Sequence, residues 1–575
     1  TTGDGVPTYI YDLDSQALVQ PQYIYLPEEL GNAADGTVVE HSYVFNLGVR
    51  GTFGSSNWNY DASFHRSWYG ADSTQRLPLT NAVNNFFLGT QDGTDPYGYG
   101  YPAYHLRQSH FWGQVTPQQY LTYTDIDRSD STTYTQQGNI TITNTDLFSL
   151  PAGSVGFAGL AEIGNQSWDN PVDPRVTAGD FWGRGGTSGN GKRDRQAVAG
   201  EFNIPIFSML TADAAVRYDN YKPDGGSSQD KVTYKLGLEF RPIETLLLRA
   251  NYGTAFRAPD MGYVFSNGSS FFTTVQDTYN CRKAQGDQFG QCEPPNDRVQ
   301  IKGFNNGNRD LKYVTAKSGG FGFVYSPLSN LSFKADFYHI KISNEVASYS
   351  LQTILDKEAD CLLGHTQSGT PVDPTSPSCV QFISQVGRNP ANAPINAGAL
   401  NTVSTFPINI ADETVSGITA NAQYRLDAGR WGDFTFQADY NTTLKHEYRQ
   451  FPDDPITDLL RENQYYDQFK DIGSASINWK IGPWSTTVYG IRYGKTWSFD
   501  GSYTVAPWML YNATVQYNLN DDAAISLIGN NIFNSRPPYD RTFTSYPYYN
   551  YFNYNSYGRF VAVQFNVHFG GGKHD

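Results

Sequence analysis

The chain has 575 residues, carries a formal net charge of -15 and is only 39% hydrophobic, yet 15% of it is aromatic, including 41 Tyr and 35 Phe. No run of about 18 apolar residues occurs, which excludes transmembrane helices, and with no basic stripe to displace phosphate counterions the acidic balance excludes nucleic acid as a partner. A mean hydropathy of -0.50 alongside so many aromatics suits strands that are apolar on one face only.

Residues 1–38 show no sustained alternation and read as an irregular N-terminal segment, with no signal peptide at Thr1, so the chain reads as mature or as a fragment. Strand patterns begin where Tyr43, Phe45, Leu47 and Val49 alternate with Val44, Asn46, Gly48 and Arg50; after a turn at Gly54–Asn57 the chain returns through Trp58, Tyr60, Ala62 and Phe64. A loop of about sixty residues, 71–133, far exceeds ordinary connection lengths, as functional or mobile segments do. It holds Tyr99, Tyr101 and Tyr104 among glycines, candidates for contacting a ligand. Further hairpins turn at Leu150–Gly153, at Ser326–Ser329 and at Asp427–Gly429, and the last strand ends at Phe569. The plainest hairpin runs from Lys231 to Pro259. Val232, Tyr234, Leu236, Leu238 and Phe240 face one way in its first arm, Leu246, Leu248, Ala250 and Tyr252 in its second, with Arg241–Glu244 as the turn. Lys235, Glu239 and Arg249 share the opposite face. Across the hairpins the apolar face carries essentially no mid-strand charge. A lipid-facing Arg or Lys at the bilayer midplane costs about 2–4 kcal/mol, so this asymmetry predicts an all-β, antiparallel transmembrane barrel over residues 39–569.

Four cysteines fall in two local pairs, Cys281 with Cys292 and Cys361 with Cys379, in loop-like sequence. An even, locally paired count predicts two disulfides in an oxidising compartment, on the long-loop side. Loops this short gain about 3 kcal/mol each in the chain-entropy account, spent on holding loop ends together rather than on the wall.

Several phrases resemble the TonB-dependent outer-membrane receptors. LRANYGTAFRAP (Leu248 to Pro259) closely resembles a signature of that family, and LPAGSVGFAGLAE (Leu150 to Glu162) looks like its hairpin after the first long loops. GNRDLKYVTAKS (Gly307 to Ser318) is similar to another of its segments, with Arg309 in place of the usual proline and the usual glutamate missing. GNNIFNSRPP (Gly529 to Pro538) and the final strand match its close. The resemblance covers about residues 40–569. It implies a 22-stranded barrel in the outer membrane of a Gram-negative bacterium, surrounded by lipid and lipopolysaccharide. It also implies a plug domain inside the barrel and import of a scarce ligand driven by the TonB complex, with ferric siderophores the default and oligosaccharide, cobalamin or peptide the alternatives. Neither plug nor TonB box is visible here. Residues 570–575 follow the final aromatic as a short tail, a departure from the family's pattern.

Other motifs carry less. Gly186–Lys192 fits a phosphate-binding loop up to the lysine, but Arg193 stands where the magnesium ligand belongs and no helix follows. His105 and His110 have no second ligand cluster beside them, so no metal site is expected. Asp453, Asp454 and Asp458 lack the glycine-bearing spacing of a calcium loop and read as a solvated acidic loop. No nucleophile and base pair up, so no catalysis and no cofactor are expected. Tyr546, Tyr548, Tyr549, Tyr551, Phe552, Tyr554 and Tyr557 crowd the loop before the last strand. They read either as stacking surfaces for a ligand or as the aromatic girdle of a barrel. A passive channel is the nearest alternative function. A secreted β-propeller hydrolase is the alternative of another class, and it lacks the blade repeat it needs.

Short turns and long loops alternate so that about seventeen strands are visible, the first descending from near His41. A single-chain bacterial barrel closes with an even number. The expectation is therefore an open wall with its first edge near residue 40, the remaining strands and the plug lying upstream of Thr1; the alternative is that loop 71–133 and the N-terminal segment hide further strands.

Overall fold

The computed structural model describes residues 9–98, 101–287, 291–392, 397–450, 455–461 and 468–569. One antiparallel wall runs through β1 (Thr37–Thr52), β2 (Trp58–Pro78), β3 (Thr124–Leu150), β4 (Gly153–Asn170), β5 (Thr187–Phe207), β6 (Leu210–Pro223), β7 (Gln229–Ile243), β8 (Leu246–Arg257) and β9 (Val314–Leu328). It continues through β10 (Leu331–Ser348), β11 (Pro407–Asp427), β12 (Asp433–Arg449), β13 (Asp471–Ile481), β14 (Trp484–Tyr493), β15 (Trp508–Asn520), β16 (Ala523–Asn530) and β17 (Phe560–Val567). Each of these 17 strands pairs with the next. Five short loop strands bring the sheet to 22: Ser266–Val275, Val299–Asn305, Val386–Arg388, Leu400–Thr405 and Thr457–Asp458. Among the described residues no ladder joins β17 to β1, so the sheet is not closed and both strands keep a bare edge.

The alternation read from the sequence is what registers the wall. Ala212, Leu238, Ala250, Phe321, Phe337 and Ile418 lie side by side across six strands, every one on the same face. Tyr43, Phe45, Leu47 and Val49 on that face are each more than half exposed. A soluble monomer does not leave an apolar belt this long open to water, whereas a membrane wall requires one. The opposite face is polar and paired. Arg249 donates to both oxygens of Asp336 at 2.8 and 2.6 Å, and Arg217 bridges Glu162 and Asp219.

Three expectations need adjustment. Arg66 stands on the apolar face between Phe64 and Trp68, its guanidinium 5.4 Å from the ring centroid of Tyr134, so that face is not free of charge. Two turns are tighter than the polar residues suggested. Ile243 pairs with Leu246 and Leu328 with Leu331, which leaves two-residue turns at Glu244-Thr245 and Ser329-Asn330, with register shifts absorbing Pro242 and Pro327 into the strand ends. The first long loop is shorter than 71–133, because β2 extends to Pro78 and β3 begins at Thr124, well beyond the 9–11 or so residues a membrane crossing needs.

No hydrophobic core fills the wall's interior among the described residues. The apolar clusters lie instead in the long connections.

Candidate functional site

All long connections leave from one end of the wall, and there they fold into small bodies of their own. Residues 9–36 join the loop 79–123 in the first. Ile10–Asp12, Ala17–Val19, Gln91–Thr94 and Pro102–Tyr104 make a four-stranded sheet. Beside it Leu30, Val83, Phe87, Val115, Tyr120 and Tyr123 form a buried cluster, with Tyr23, Tyr25, Phe86 and Phe111 packed onto it. The ordering is local chemistry. Thr116 and Gln119 cap a short helix reciprocally, and Tyr23 Oη accepts from the Val115 amide at 3.1 Å and donates to Gly113 O at 3.2 Å. Between this body and Trp182 opens a cleft of about 590 Å³. Tyr23, Tyr25, Phe87, Phe111, Tyr120 and Trp182 supply its rings, Gln20, Gln22 and Asn84 its polar groups, and no charged side chain among the described residues lines it.

The loops 258–313 and 349–406 interlock as the second body. Helix α1 (Thr278–Gln285) packs on α2 (Leu351–Leu363), which packs on α3 (Pro377–Ser384), around Ile301, Ile354, Leu355 and Val403. Cys281 is bonded to Cys292 and Cys361 to Cys379, with Cα separations of 5.6 and 5.4 Å. Arg388 is gripped by Asp277 at 2.8 and 2.9 Å and by Glu358 at 2.7 and 2.8 Å. Burial works against its charge, but the two carboxylates hold it protonated more firmly than usual. Arg282 reaches from α1 to Asp287 and Asp360, each at 2.6 Å, and His365 closes on Asp287 at 2.8 Å, which together depress the Asp287 carboxyl.

The third body is the aromatic loop 531–559 with residues 494–507. Its hub is Asp540, which accepts from the amides of Phe499 at 2.8 Å and Thr542 at 2.9 Å and from the hydroxyls of Thr542 at 2.7 Å and Tyr503 at 3.0 Å. Burial pushes its carboxyl upward, but these donors outweigh burial and leave it below the ordinary range. Tyr554 is buried against Phe469, Trp508 and Tyr549, and burial near Asp540 pushes its phenol up to about 12.

The residues marked in the sequence therefore divide. Tyr554 is a packing residue of its loop. Tyr549 is partly covered, Tyr548 and Tyr551 are about half exposed, and Tyr546 and Phe552 stand out at 85% and 76% exposure. Tyr104 belongs to the small sheet of the first body and Tyr101 immediately precedes that strand; neither lines the cleft, and Tyr99 lies outside the described residues. Asp453 and Asp454 also lie outside them, while Asp458 pairs with Arg461. His105 and His110 hold loop structure, through Asp14 at 2.7 Å and the Phe86 carbonyl at 2.6 Å. The Gly186–Lys192 stretch runs into extended β5, where a phosphate loop needs a turn into a helix. The cleft residues Tyr23 and Tyr25 were missed, although the alternation in Gln22-Tyr23-Ile24-Tyr25 is a short strand-like signal.

The family model for the TonB dependent receptor-like β-barrel matches residues 20–534. The chain belongs to the TonB-dependent receptor family. No curated protein matches it in sequence. Among solved structures it is similar to the siderophore receptor PirA of Acinetobacter baumannii, at 13% identity and TM-score 0.53 over 92% of this chain and 62% of that one. It is also similar to the pyoverdine outer membrane receptor FpvA of Pseudomonas aeruginosa, at 10% identity and TM-score 0.54 over 98% and 66%. A third likeness is to the ferric-catecholate import receptor Fiu of Escherichia coli, at 12% identity and TM-score 0.50 over 99% and 70%. Such identities establish the fold alone. The TonB-dependent receptor barrel family is an outer-membrane family.

Proposed function

We propose that this chain forms the wall and outer gate of a receptor that imports a scarce ligand across the outer membrane with energy from the TonB complex. The observation that carries the reading is the 17-strand wall with its lipid-facing belt, in a chain that the family model matches from residue 20 to 534. The ligand class we favour is a ferric siderophore, the class named for the receptors of similar fold. A second reading, an oligosaccharide, has one specific observation in its favour. The cleft beside Trp182 joins aromatic faces to carboxamides and has, among the described residues, no charge to pair with an anionic chelate. No catalytic role is proposed.

Binding to the purified full-length receptor decides between them, read by intrinsic fluorescence with a panel of ferric siderophores and neutral oligosaccharides. A siderophore bound at nanomolar concentration, with uptake lost in a TonB-deficient strain, is the expected result. Saturable binding of a neutral sugar alone establishes the second reading. Uptake that continues without TonB makes the protein a passive channel.

A further inference from the structure

Residues 21–25 of the first loop body run extended, yet they belong to no ladder. They follow closely on Ala17–Val19, the edge strand of the four-stranded sheet. Their exposure alternates as a strand's does: Pro21, Tyr23 and Tyr25 are partly covered, whereas Gln22, Ile24 and Leu26 are exposed. Tyr23 packs on Phe87 with ring centroids 5.1 Å apart and Tyr25 on Tyr120 at 5.6 Å, which pins the inward face to the body. Among the described residues no hydrogen-bond partner meets the N–H groups of Gln22 to Tyr25 or the C=O groups of Pro21 to Tyr25. Leu26 ends the run, because its carbonyl accepts from the Glu29 amide at 3.0 Å.

This unpaired main chain forms part of the wall of the aromatic cleft. Every residue from Gln20 to Tyr25 lines it. A strand met face-on presents only alternate residues, so a cleft that touches consecutive ones runs along the backbone edge. Pro78, Leu88 and Trp182 help to complete the wall, and among the described residues the lining carries no charge. A neutral sugar would use the rings, but it has no row of donors and acceptors at the strand repeat, and another extended chain has. At the rise of a strand the run from Gln20 to Tyr25 spans about 20 Å, enough to pair with about six residues. Apolar surface also continues past the cleft. Ile24 is 79% exposed, Leu26 44% and Trp112 86%, and Trp112 directly precedes Gly113, whose carbonyl accepts from Tyr23 Oη. A short peptide lying in the cleft leaves Leu26 and Trp112 bare, whereas a folded partner presenting a strand covers them.

We propose that residues 21–25 are a docking edge for a partner protein, which adds an uncharged edge strand of its own beside them and seats alternate apolar side chains in the cleft. The proposal holds whichever ligand the receptor imports, and it assigns this cleft to a protein strand rather than to a sugar.

The test uses the purified full-length receptor and a probe strand, a capped heptapeptide of alternating threonine and valine. The probe is offered free and at the open edge of a small folded host domain. Two further free probes carry N-methyl groups at odd or at even positions. In strand pairing only one of the two sets of amides faces the receptor. One N-methylated probe is therefore expected to bind about 25-fold more weakly, at about fivefold for each of two lost hydrogen bonds, and the other to bind like the parent. The host-borne strand is expected to bind about tenfold tighter than the free one, because the host has already ordered it. Leu26→Ser/Trp112→Ser, both outside the cleft lining, is expected to remove about tenfold from host-borne binding and nothing from the free probe. Equal loss with both N-methylated probes, or loss with neither, overturns the proposal, as does a host-borne strand that shows no saturable binding. So does a free peptide that binds as tightly as the host-borne strand, which makes the cleft a peptide site, or a neutral oligosaccharide that displaces the strand at equal concentration, which makes it a sugar site. The N-methyl comparison needs no variant of the receptor, so a folding defect cannot imitate its outcome.

Discussion

At Asp540 a carboxylate that is only 2% exposed accepts two backbone N–H groups and two hydroxyls, so the loop's fold depends on its charge. Its folded value lies below that of an unfolded aspartate, so the stability it contributes is complete above about pH 4 and is lost as the pH falls through the lower, folded value. Tyrosine and tryptophan fluorescence of the loop is expected to hold constant from about pH 8 to 5 and to change only in stronger acid, and Asp540→Asn is expected to lack that acid transition. The same substitution turns an acceptor into a donor facing other donors, which costs about 1–3 kcal/mol and opens the loop to protease at neutral pH. Arg388 gives the sharper case. Arg388→Met leaves Asp277 and Glu358 buried without their cation, and breaking such a pair costs about 3–5 kcal/mol. Amide exchange in α1 and α2 is expected to accelerate while the wall strands stay protected, which hydrogen-exchange mass spectrometry resolves segment by segment.

Along a strand the two faces obey different rules, and substitutions one residue apart expose the difference. Leu236 points to lipid in mid-strand, so Leu236→Arg is expected to cost about 2–4 kcal/mol in urea unfolding of the detergent-solubilised receptor. Lys235→Ala, on the polar face, is expected to stay within about 0.5 kcal/mol. This period of two is also why the wall was legible without coordinates. A strand that buries nothing and greases one face leaves its pattern in every second residue, and β7 and β8 were readable to within a few positions. Their turn was not, because Arg241 and Pro242 look like turn residues yet are carried into the strand end by a register shift. The loop bodies were illegible for a related reason. The short strands of residues 9–36 pack on residues 79–123 through contacts tens of residues apart, so Tyr23 and Tyr25 acquire their cleft only from Phe87, Phe111 and Trp182. The disulfides were readable because each closes locally, whereas the grip of Arg388 on Asp277, 111 residues away, has no local signature.

For the molecule as a whole the decisive feature is the pair of bare edges. β1 offers sixteen residues and β17 eight, and on each the outward-directed backbone groups have no ladder partner among the described residues. In water such an edge invites association. In lipid each unsatisfied N–H or C=O costs several kcal/mol, so a wall with two open edges is not a membrane structure at rest. The edges must be satisfied by each other or by further strands, and either arrangement protects their amides. In the purified receptor, amide exchange at Tyr43–Val49 and Val561–Val567 is therefore expected to be as slow as at Val232–Leu238 in the middle of the wall. Fast exchange confined to β1 and β17 would mean that the sheet stays open in the membrane and that the energetic argument for closure fails. Cysteines placed at Leu47 and Val563 separate the two ways of closing. An intramolecular cross-link between them marks direct pairing of β1 with β17. Slow exchange without that cross-link marks further strands standing between the two edges.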